Sequence, residues 1–421
     1  MIGVNAFGLA MFGLTSVVSG SLFSYENTAE VPPDPDVGKN MIEIVQTRGY
    51  EIESHYATTP DGYILNMFRI PNGKNANTKQ DNMQSKSPVI LQHGLLDSSF
   101  TWVNNYDNES LAYILADAGF DVWMGNNRGN RYGRNHTTLD PDDGTLPFWA
   151  FSWDEMAAFD VPTMINYVTG NTGSSSVGWV GHSEGTIQMF AASSDAYKSD
   201  FLSDAISKVN LFVALAPVAY VYNLKSEPIQ FLAKKLIIDE IFYDRHIYEI
   251  GKHDDQLNTL APKVCESYER SCEVFLDLIC GPSRNLNESR VQVYVSGTPA
   301  GTSTQNMLHW EQGVLVDTFQ KFDYGSEEAN AAHYDGVTTP PLYDLSKIPE
   351  AFNIAMFSGD LDWLADPMDV THMLEEVPAS NVIYNHTTPL FAHLDYTWAW
   401  NANAKIYDKV TKLLGQYAKK N

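Results

Sequence analysis

The chain contains the stretch Val177-Gly178-Trp179-Val180-Gly181-His182-Ser183-Glu184-Gly185, in which an apolar run leads directly into the pattern Gly-x-Ser-x-Gly. Residues 186–192 follow with the pattern of a helix. A buried strand, a sharp turn and a helix are the context in which this pattern places a serine at the top of a sheet. The two glycines fit because the turn brings strand and helix too close for side chains. The stretch therefore predicts that Ser183 projects into a cleft.

Other short apolar runs without polar alternation have the pattern of strands buried on both faces of a sheet. They cover residues 89–91, 120–124, 211–215 and 352–357, and helical patterns such as 111–118 and 154–168 lie between them. This β-α-β rhythm predicts an α/β fold, with a mostly parallel sheet covered by helices. Before it, Pro60-Asp61-Gly62 separates two alternating runs and predicts a β-hairpin of residues 53–58 and 63–70, followed by a polar loop at 72–87.

The strand rhythm stops between about residues 218 and 340, where helical patterns such as 228–242 take over. We interpret 218–340 as an inserted cap that divides a core of residues 21–217 and 341–421. In the helix at 228–242, one face carries Ile229, Leu232, Leu236 and Ile237, while Lys234, Lys235, Asp239 and Glu240 mostly turn away. Such an amphipathic helix is either a lid that opens at a lipid surface or an ordinary packing helix.

Composition limits the partners and the compartment. The 421 residues exceed the usual size of a single core. The formal net charge of −25 argues against nucleic acid and against a purely electrostatic attraction to anionic membranes. An uncharged apolar leader ending in small residues predicts a cleaved signal peptide at 1–20, with an uncleaved anchor as the alternative. No later segment is apolar enough to span a bilayer.

The leader predicts a lumenal or extracellular protein, and two further features fit that route. Glycosylation sequons stand at Asn108, Asn135, Asn287 and Asn385. Three cysteines, Cys265, Cys272 and Cys280, fall in one short stretch and allow one local disulfide with one thiol left over. A zinc site is the alternative, but no fourth ligand is obvious nearby, so we expect no metal.

A serine hydroxyl becomes a strong nucleophile only when a base removes its proton and an acid orients that base. Where Gly-x-Ser-x-Gly carries such a serine, the acid and then the histidine follow later in the chain. His393 is the last histidine and lies just beyond the strand-like residues 382–384. Three candidates for the acid follow residues 352–357, namely Asp360, Asp362 and Asp366. Spacing does not choose among them, because any of them could instead cap a helix or a turn.

The oxyanion formed on attack needs preorganised N–H donors. One is expected to be the backbone N–H of Glu184, immediately after the serine. The other is expected from the loop Gln92-His93-Gly94-Leu95-Leu96, in which the glycine lets the backbone turn inward and makes Leu95 the better candidate.

With these motifs in place, the chain resembles the acid lipase family, which includes gastric and lysosomal acid lipases. The likeness covers nearly the whole mature chain, through Pro60-Asp61-Gly62-Tyr63-Ile64-Leu65, Leu91-Gln92-His93-Gly94-Leu95-Leu96, Leu115 to Trp123, Phe148-Trp149-Ala150-Phe151-Ser152, Pro299-Ala300-Gly301-Thr302-Ser303, Leu364-Ala365-Asp366-Pro367 and His393-Leu394-Asp395. The resemblance implies an α/β-hydrolase fold whose cap has a movable lid. It implies a secreted or lysosomal enzyme that hydrolyses neutral lipid esters, triacylglycerols or steryl esters, through an acyl-enzyme at acidic pH. It also implies a lipid surface as partner and no cofactor.

Carried over by residue, the resemblance implies Ser183 as nucleophile, Asp362 as acid and His393 as base. It further implies Leu95 and Glu184 as oxyanion donors, Cys265 paired with Cys272, and Cys280 free. The cysteine spacing is slightly shorter than in the family. The rival hypotheses are an esterase for small soluble substrates and a catalytically silent lipid-binding protein.

Residue 184 departs from the family, which usually has Gln after the nucleophile where this chain has Glu184. An ionised carboxylate near the oxyanion would oppose it, whereas a protonated one resembles Gln. We therefore expect Glu184 to steepen the loss of activity as pH rises.

Overall fold

The computed structural model describes residues 34–74, 86–235, 245–253 and 269–418. The signal peptide predicted at 1–20 lies outside these residues, as do Cys265 and the predicted cap-helix positions Leu236, Ile237, Asp239 and Glu240.

The strands are β1 (Glu53–Thr58), β2 (Tyr63–Ile70), β3 (Pro88–Gln92), β4 (Asp121–Met124), β5 (Asn135–His136), β6 (Val177–His182), β7 (Val209–Leu215), β8 (Glu249–Ile250), β9 (Thr302–Ser303), β10 (Ile354–Gly359) and β11 (Val382–Thr388). The α-helices are α1 (Met41–Thr47), α2 (Leu111–Asp117), α3 (Trp153–Glu155), α4 (Val161–Thr172), α5 (Glu184–Ser194), α6 (Asp200–Ser207), α7 (Glu227–Lys234), α8 (Glu269–Cys280), α9 (Val291–Gly297), α10 (Thr304–Leu315), α11 (Glu327–His333), α12 (Pro367–Glu376), α13 (Asp395–Trp398) and α14 (Asp408–Tyr417). Short 3₁₀ helices cover Ser99–Trp102, Pro147–Trp149, Ala196–Lys198, Glu288–Arg290 and Leu345–Lys347, and π-helical turns cover Met156–Asp160 and Asn403–Tyr407.

One large sheet runs through the described residues in the order β1-β2-β4-β3-β6-β7-β10-β11, with β5 paired to β2. The six strands from β4 to β11 are parallel to their neighbours, and the β1–β2 hairpin adds an antiparallel edge. Every residue of β3, β4, β6, β7 and β10 is buried, as expected when helices cover both faces. The predicted α/β architecture is confirmed.

The hairpin has the predicted bounds, with Glu53 paired to Arg69 and Thr58 to Ile64. The helical pattern at 154–168 is longer than expected, because α3, the π-helical turn Met156–Asp160 and α4 follow one another without a break. The side chains of Ser152 and Glu155 form a capping box at its start, and Gly173 ends it in the left-handed conformation at φ 68°.

The segment between β7 and β10 contains α7 to α11 and one short antiparallel pair, β8 with β9. Its described part agrees with the expected helical insertion, while the boundaries at 218 and 340 stay a prediction. In α7, Ile229 and Leu232 are half-buried and Lys234 is exposed, as is Lys235 just beyond. Within the described ranges, the helices are too short or too polar to cross a bilayer.

Candidate active site

Ser183 lies at the turn between β6 and α5, with φ 52° and ψ −116°. This backbone conformation is rare for a residue with a side chain and marks local strain. The flanking glycines are required by space. A Cβ atom on Gly185 would lie 2.5 Å from the carbonyl oxygen of Gln92, and one on Gly181 would overlap the carbonyl of Gly185. The turn thus holds the serine side chain at the carboxyl edge of the sheet.

Three side chains from distant parts of the chain meet at this turn. The Oγ of Ser183 lies 2.7 Å from Nε2 of His393. The Nδ1 of His393 lies 3.0 Å from both carboxylate oxygens of Asp362. Since a carboxylate only accepts, Nδ1–H donates to Asp362, which leaves Nε2 free to accept the serine proton. All three side chains are buried.

The three aspartates after β10 have different surroundings. Asp362 is fully buried, and its Oδ1 also accepts hydrogen bonds from the backbone N–H groups of Leu364 and Ala365 at 2.9 and 2.8 Å. Asp360 is exposed and accepts from the N–H of Leu390. Asp366 caps the N-terminus of α12. The structure therefore brings Asp362, and neither of the other two, to His393.

The acid and base loops are held together by the end of α8. The carbonyl oxygen of Cys280 accepts hydrogen bonds from the N–H of His393 at 3.2 Å and from the N–H of Trp363 at 3.4 Å. Gly281, at φ 100°, follows so closely that a Cβ atom there would overlap the carbonyl of Leu361. A segment of the insertion between β7 and β10 thus sets the distance between two loops of the core.

The loop after β3 passes directly over the serine. A Cβ atom on Gly94 would lie 3.1 Å from the Cβ of Ser183, a tight contact that the missing side chain of glycine avoids. Leu95 follows, and Leu96 adopts a left-handed conformation at φ 58° while its carbonyl accepts from the N–H of Ala300 at 2.7 Å. The N–H groups of Leu95 and Glu184 therefore belong to the two segments adjoining Ser183. Because Glu184 is the first residue of α5, its N–H has no carbonyl in a preceding turn to bind.

His93 fixes the shape of this loop, a role that the sequence does not reveal. Its Nδ1–H donates to the carbonyl of Gly94 at 2.8 Å. Its Nε2 accepts from the backbone N–H of Asn127 at 3.2 Å and from the side-chain amide of Asn130 at 3.0 Å. Burial lowers the pKa of His93 to about 4, which keeps the ring neutral and this pattern intact in mildly acidic solution.

The side chain of Glu184 is buried with three neutral N–H donors. Its Oε1 accepts from the amide of Asn306 at 2.6 Å and from the indole of Trp310 at 3.0 Å. Its Oε2 accepts from the amide of Asn127 at 3.2 Å. Burial raises the pKa of the Glu184 carboxyl, and the three donors only partly offset that effect. Sequence reasoning identified the unusual residue but not these partners, which are far away along the chain.

The four predicted glycosylation sites differ in how exposed they are. Asn108, Asn135 and Asn385 are exposed. Asn287 is half-buried, and its amide donates to Glu109 at 2.7 Å and to Asn105 at 3.2 Å. Glycosylation at all four stays a prediction.

The cysteine and metal predictions can be followed only in part. Cys280 is a free, buried cysteine. The proposed partner of Cys272, Cys265, lies outside the described residues, so the disulfide stays a prediction. In the part of the chain that the structure describes, no group of three or more His, Cys, Asp or Glu side chains is arranged to hold a metal ion.

Comparison with known proteins adds independent observations. Residues 41–106 match the model of a partial alpha/beta-hydrolase lipase region, and residues 87–388 match that of the alpha/beta hydrolase fold. The chain is 40% identical over 394 residues to gastric triacylglycerol lipase of Homo sapiens, covering 91% of this chain and 93% of the relative. It is also 40% identical over 390 residues to lysosomal acid lipase/cholesteryl ester hydrolase of Homo sapiens, covering 91% and 92% respectively.

Among solved structures, the chain is similar to a soluble variant of monoglyceride lipase from Saccharomyces cerevisiae bound to a substrate analogue. The TM-score is 0.52 at 12% identity, covering 87% of this chain and 96% of that chain. A likeness at this identity supports the fold alone. Together the comparisons confirm the predicted fold and family, and the chain therefore belongs to the acid lipase family of α/β-hydrolases.

Proposed function

We propose that this protein hydrolyses neutral lipid esters, triacylglycerols or steryl esters, with Ser183 as nucleophile, His393 as base and Asp362 as acid. Membership of the family makes it a carboxylic-ester hydrolase. The observation that carries the residue assignment is the continuous hydrogen-bonded relay from Ser183 through His393 to Asp362. The order serine, acid, histidine along the chain is the order of this fold.

In the proposed mechanism, Nε2 of His393 accepts the Ser183 proton as Oγ attacks the ester carbonyl. Asp362 stabilises the imidazolium that results, and its own orientation is held by two backbone N–H groups. The imidazolium then protonates the departing alcohol and leaves an acyl-enzyme. Water, activated by the same histidine, releases the fatty acid and restores Ser183. Each step uses groups of the chain and water.

The oxyanion of the tetrahedral intermediate is proposed to accept from the backbone N–H groups of Leu95 and Glu184. Support comes from their position on the two segments that adjoin Ser183 and from the close approach of Gly94. Preorganised donors of this kind each contribute about 10²–10³ in rate.

A lipid surface as the site of action is supported by exposed apolar side chains on the segments that follow the carboxyl ends of β7 and β10. Tyr222 and Phe231 follow β7 and Met368 follows β10, and these side chains are 48%, 53% and 61% exposed. The two segments are adjacent, because Asn223 donates to Asp369 at 2.8 Å. The names of the relatives support neutral lipid esters as substrates and a secreted or lysosomal location. We further propose residues 218–340 as the cap over this edge.

Labelling with a serine-directed phosphonate tests the proposal most directly. We expect mass analysis to find the adduct on the peptide that contains Ser183, and Ser183→Ala to abolish both labelling and turnover of emulsified triacylglycerol and steryl ester. Activity that rises sharply when the substrate forms an emulsion would separate a lipase from an esterase for soluble substrates. Labelling of another residue, or none, would contradict the assignment and favour a silent lipid-binding protein.

A further inference from the structure

The side chain of Glu184 joins two parts of the molecule that meet at the proposed oxyanion site. Glu184 opens α5, directly after Ser183. Asn306 and Trp310 lie one turn apart on α10, within the insertion between β7 and β10. Two hydrogen bonds on Oε1 therefore tie the turn that carries the serine to a helix of the insertion.

These two donors have fixed directions. The indole of Trp310 can only donate. The amide of Asn306 is oriented because its Oδ1 accepts from the backbone N–H of Trp153 at 2.8 Å, which leaves Nδ2 for Glu184. Oε1 of Glu184 must therefore be an acceptor in every protonation state.

The third hydrogen bond, between Asn127 and Oε2 of Glu184, can reverse its direction. Asn127 donates through Nδ2 to Oε2 of Glu184, while its Oδ1 accepts from Nε2 of Gln92 at 2.6 Å. The Oε1 of Gln92 is buried and lacks a hydrogen-bond partner among the described residues. If both amides rotated by half a turn, a protonated Oε2 of Glu184 could donate to Oδ1 of Asn127. Nδ2 of Asn127 could then donate to Oε1 of Gln92. The site thus accommodates both the carboxylate and the carboxylic acid.

We propose that the Glu184 side chain is a positioning residue that ties the serine turn to α10, and that its ionisation opposes the oxyanion held by the N–H of the same residue. The inference rests on the proposed function. The three groups bonded to the carboxylate are neutral, so a charge on it has no countercharge among them. The tie persists on protonation because Asn306 and Trp310 remain bonded, whereas the repulsion disappears. Ionisation of Glu184 therefore lowers kcat as pH rises.

Charged and titratable groups on the elements around Glu184 include His182 at the end of β6, His93 in the loop after β3, Arg128 beside Asn127, Asp154 and Glu155 in α3, Asp160 in the π-helical turn, His309 and Glu311 in α10, and the base His393. Arg128 is bound by Asp61 and Asp160. Burial lowers the pKa of His309 to about 3, and with His93 at about 4 both rings are neutral above that range. Burial raises the pKa of Asp154, and burial together with the neighbouring Asp154 carboxylate raises that of Glu155, so both carboxyls titrate above their ordinary range. A pH profile of wild type alone therefore does not show which of these groups causes the loss of kcat at high pH. Variants are needed to identify that group.

The test compares kcat against pH for hydrolysis of 4-nitrophenyl butyrate, a soluble ester that needs no lipid surface. The variants are Glu184→Gln, Trp310→Phe and the double variant, with the exposed Glu328→Gln as matched control for loss of one carboxyl. In Glu184→Gln we expect the alkaline limb to move up by about one pH unit or more, with kcat there on the order of tenfold above wild type. Glu328→Gln should follow wild type.

Trp310→Phe keeps the ring but removes one donor to the carboxylate, which should raise the pKa of Glu184 and move the limb up by about one unit. The same change should move nothing once residue 184 is Gln. Superimposable limbs for wild type and Glu184→Gln, or a Trp310→Phe shift that persists in the double variant, would overturn the inference. If Glu184→Gln fails to fold, Trp310→Phe still provides the test. An alkaline limb that does not move in that variant would by itself overturn the inference.

Phosphonate labelling separates this inference from the proposed function. Variants that label at Ser183 but show superimposable limbs refute only the role of Glu184. Absence of Ser183 labelling in wild type refutes the proposed function itself.

Discussion

The Nε2 of His182 donates a hydrogen bond to the backbone carbonyl of His393 at 2.9 Å. The residue before the serine therefore fixes the backbone of the loop that carries His393. A carbonyl oxygen only accepts, so His182 must carry its proton on Nε2. Burial lowers the pKa of His182 to about 3, and the ring consequently stays neutral at any pH at which an acid lipase works.

We expect His182→Phe to reduce kcat about tenfold while KM changes little. The variant loses one hydrogen bond of about 1–1.5 kcal/mol that positions the base without touching substrate. Steady-state kinetics on a soluble ester would measure the split. His182→Gln, which keeps an N–H donor, should recover part of the loss; an equal loss in both variants would point to packing as the cause.

The three aspartates after β10 give a second prediction. Asp362→Asn should lower kcat by about 10⁴-fold, because the amide favours the wrong tautomer of His393. Asp360→Asn should stay within about twofold of wild type, since that side chain contacts the loop at Leu390. Asp366→Ala should cost at least about 1 kcal/mol of stability, because it removes a helix cap and the ion pair with Lys225 at 2.7 Å, and should leave kcat nearly unchanged. Kinetics and thermal unfolding of the three variants would check this ranking, and a large kcat loss in Asp360→Asn would contradict it.

The main strands could be predicted from the sequence because strands buried on both faces leave uninterrupted apolar runs. Residues 211–215, for example, fall within β7 at Val209–Leu215. The two-residue strands β5, β8 and β9 could not be predicted, because two residues show no period. The π-helical turn Met156–Asp160 was also missed, since one extra residue per turn leaves a helical pattern recognisable.

At the candidate site, local patterns identified Ser183, and chain order identified His393. Choosing among Asp360, Asp362 and Asp366 needed either the family resemblance or the structure. All three lie in one loop, and only the fold shows which carboxylate points toward His393. The partners of Glu184 on α10 could not be anticipated, as more than a hundred residues separate Asn306 from Glu184. Such contacts depend on tertiary packing, which one sequence does not encode locally.

Two glycines with opposite surroundings give a matched pair of predictions. In Gly185→Ala the new Cβ would lie 2.5 Å from the carbonyl oxygen of Gln92 and 2.9 Å from that of His93, and these backbone atoms cannot move aside cheaply. We expect destabilisation of about 3 kcal/mol and loss of activity. In Gly170→Ala the Cβ meets nothing within 4 Å and lies inside α4, so stability should rise by about 0.5–1 kcal/mol. Urea unfolding would measure both, and equal effects would refute the steric argument.

Asp97, on the loop after β3, is buried and accepts hydrogen bonds from the N–H of Ser98 at 2.8 Å and from the hydroxyl of Thr298 at 3.3 Å. Burial raises its pKa to about 6, because no cation among the described residues compensates for the lost hydration. Below about pH 4 the carboxyl is protonated in both folded and unfolded chains, and its contribution to stability is complete. Between about pH 4 and 6 only the unfolded chain ionises, so this contribution is lost as pH rises.

Asp97→Asn removes this titration. The free energy of unfolding of the variant, minus that of wild type, should therefore increase by about 2–3 kcal/mol between pH 4 and pH 7. Buried neutral histidines such as His93 and His309 contribute an opposite slope, because their unfolded forms bind protons as pH falls. That slope is common to both proteins and cancels in the difference. Urea unfolding of both proteins across this range measures it, and parallel curves would mean that Asp97 is ionised in the folded protein despite its burial.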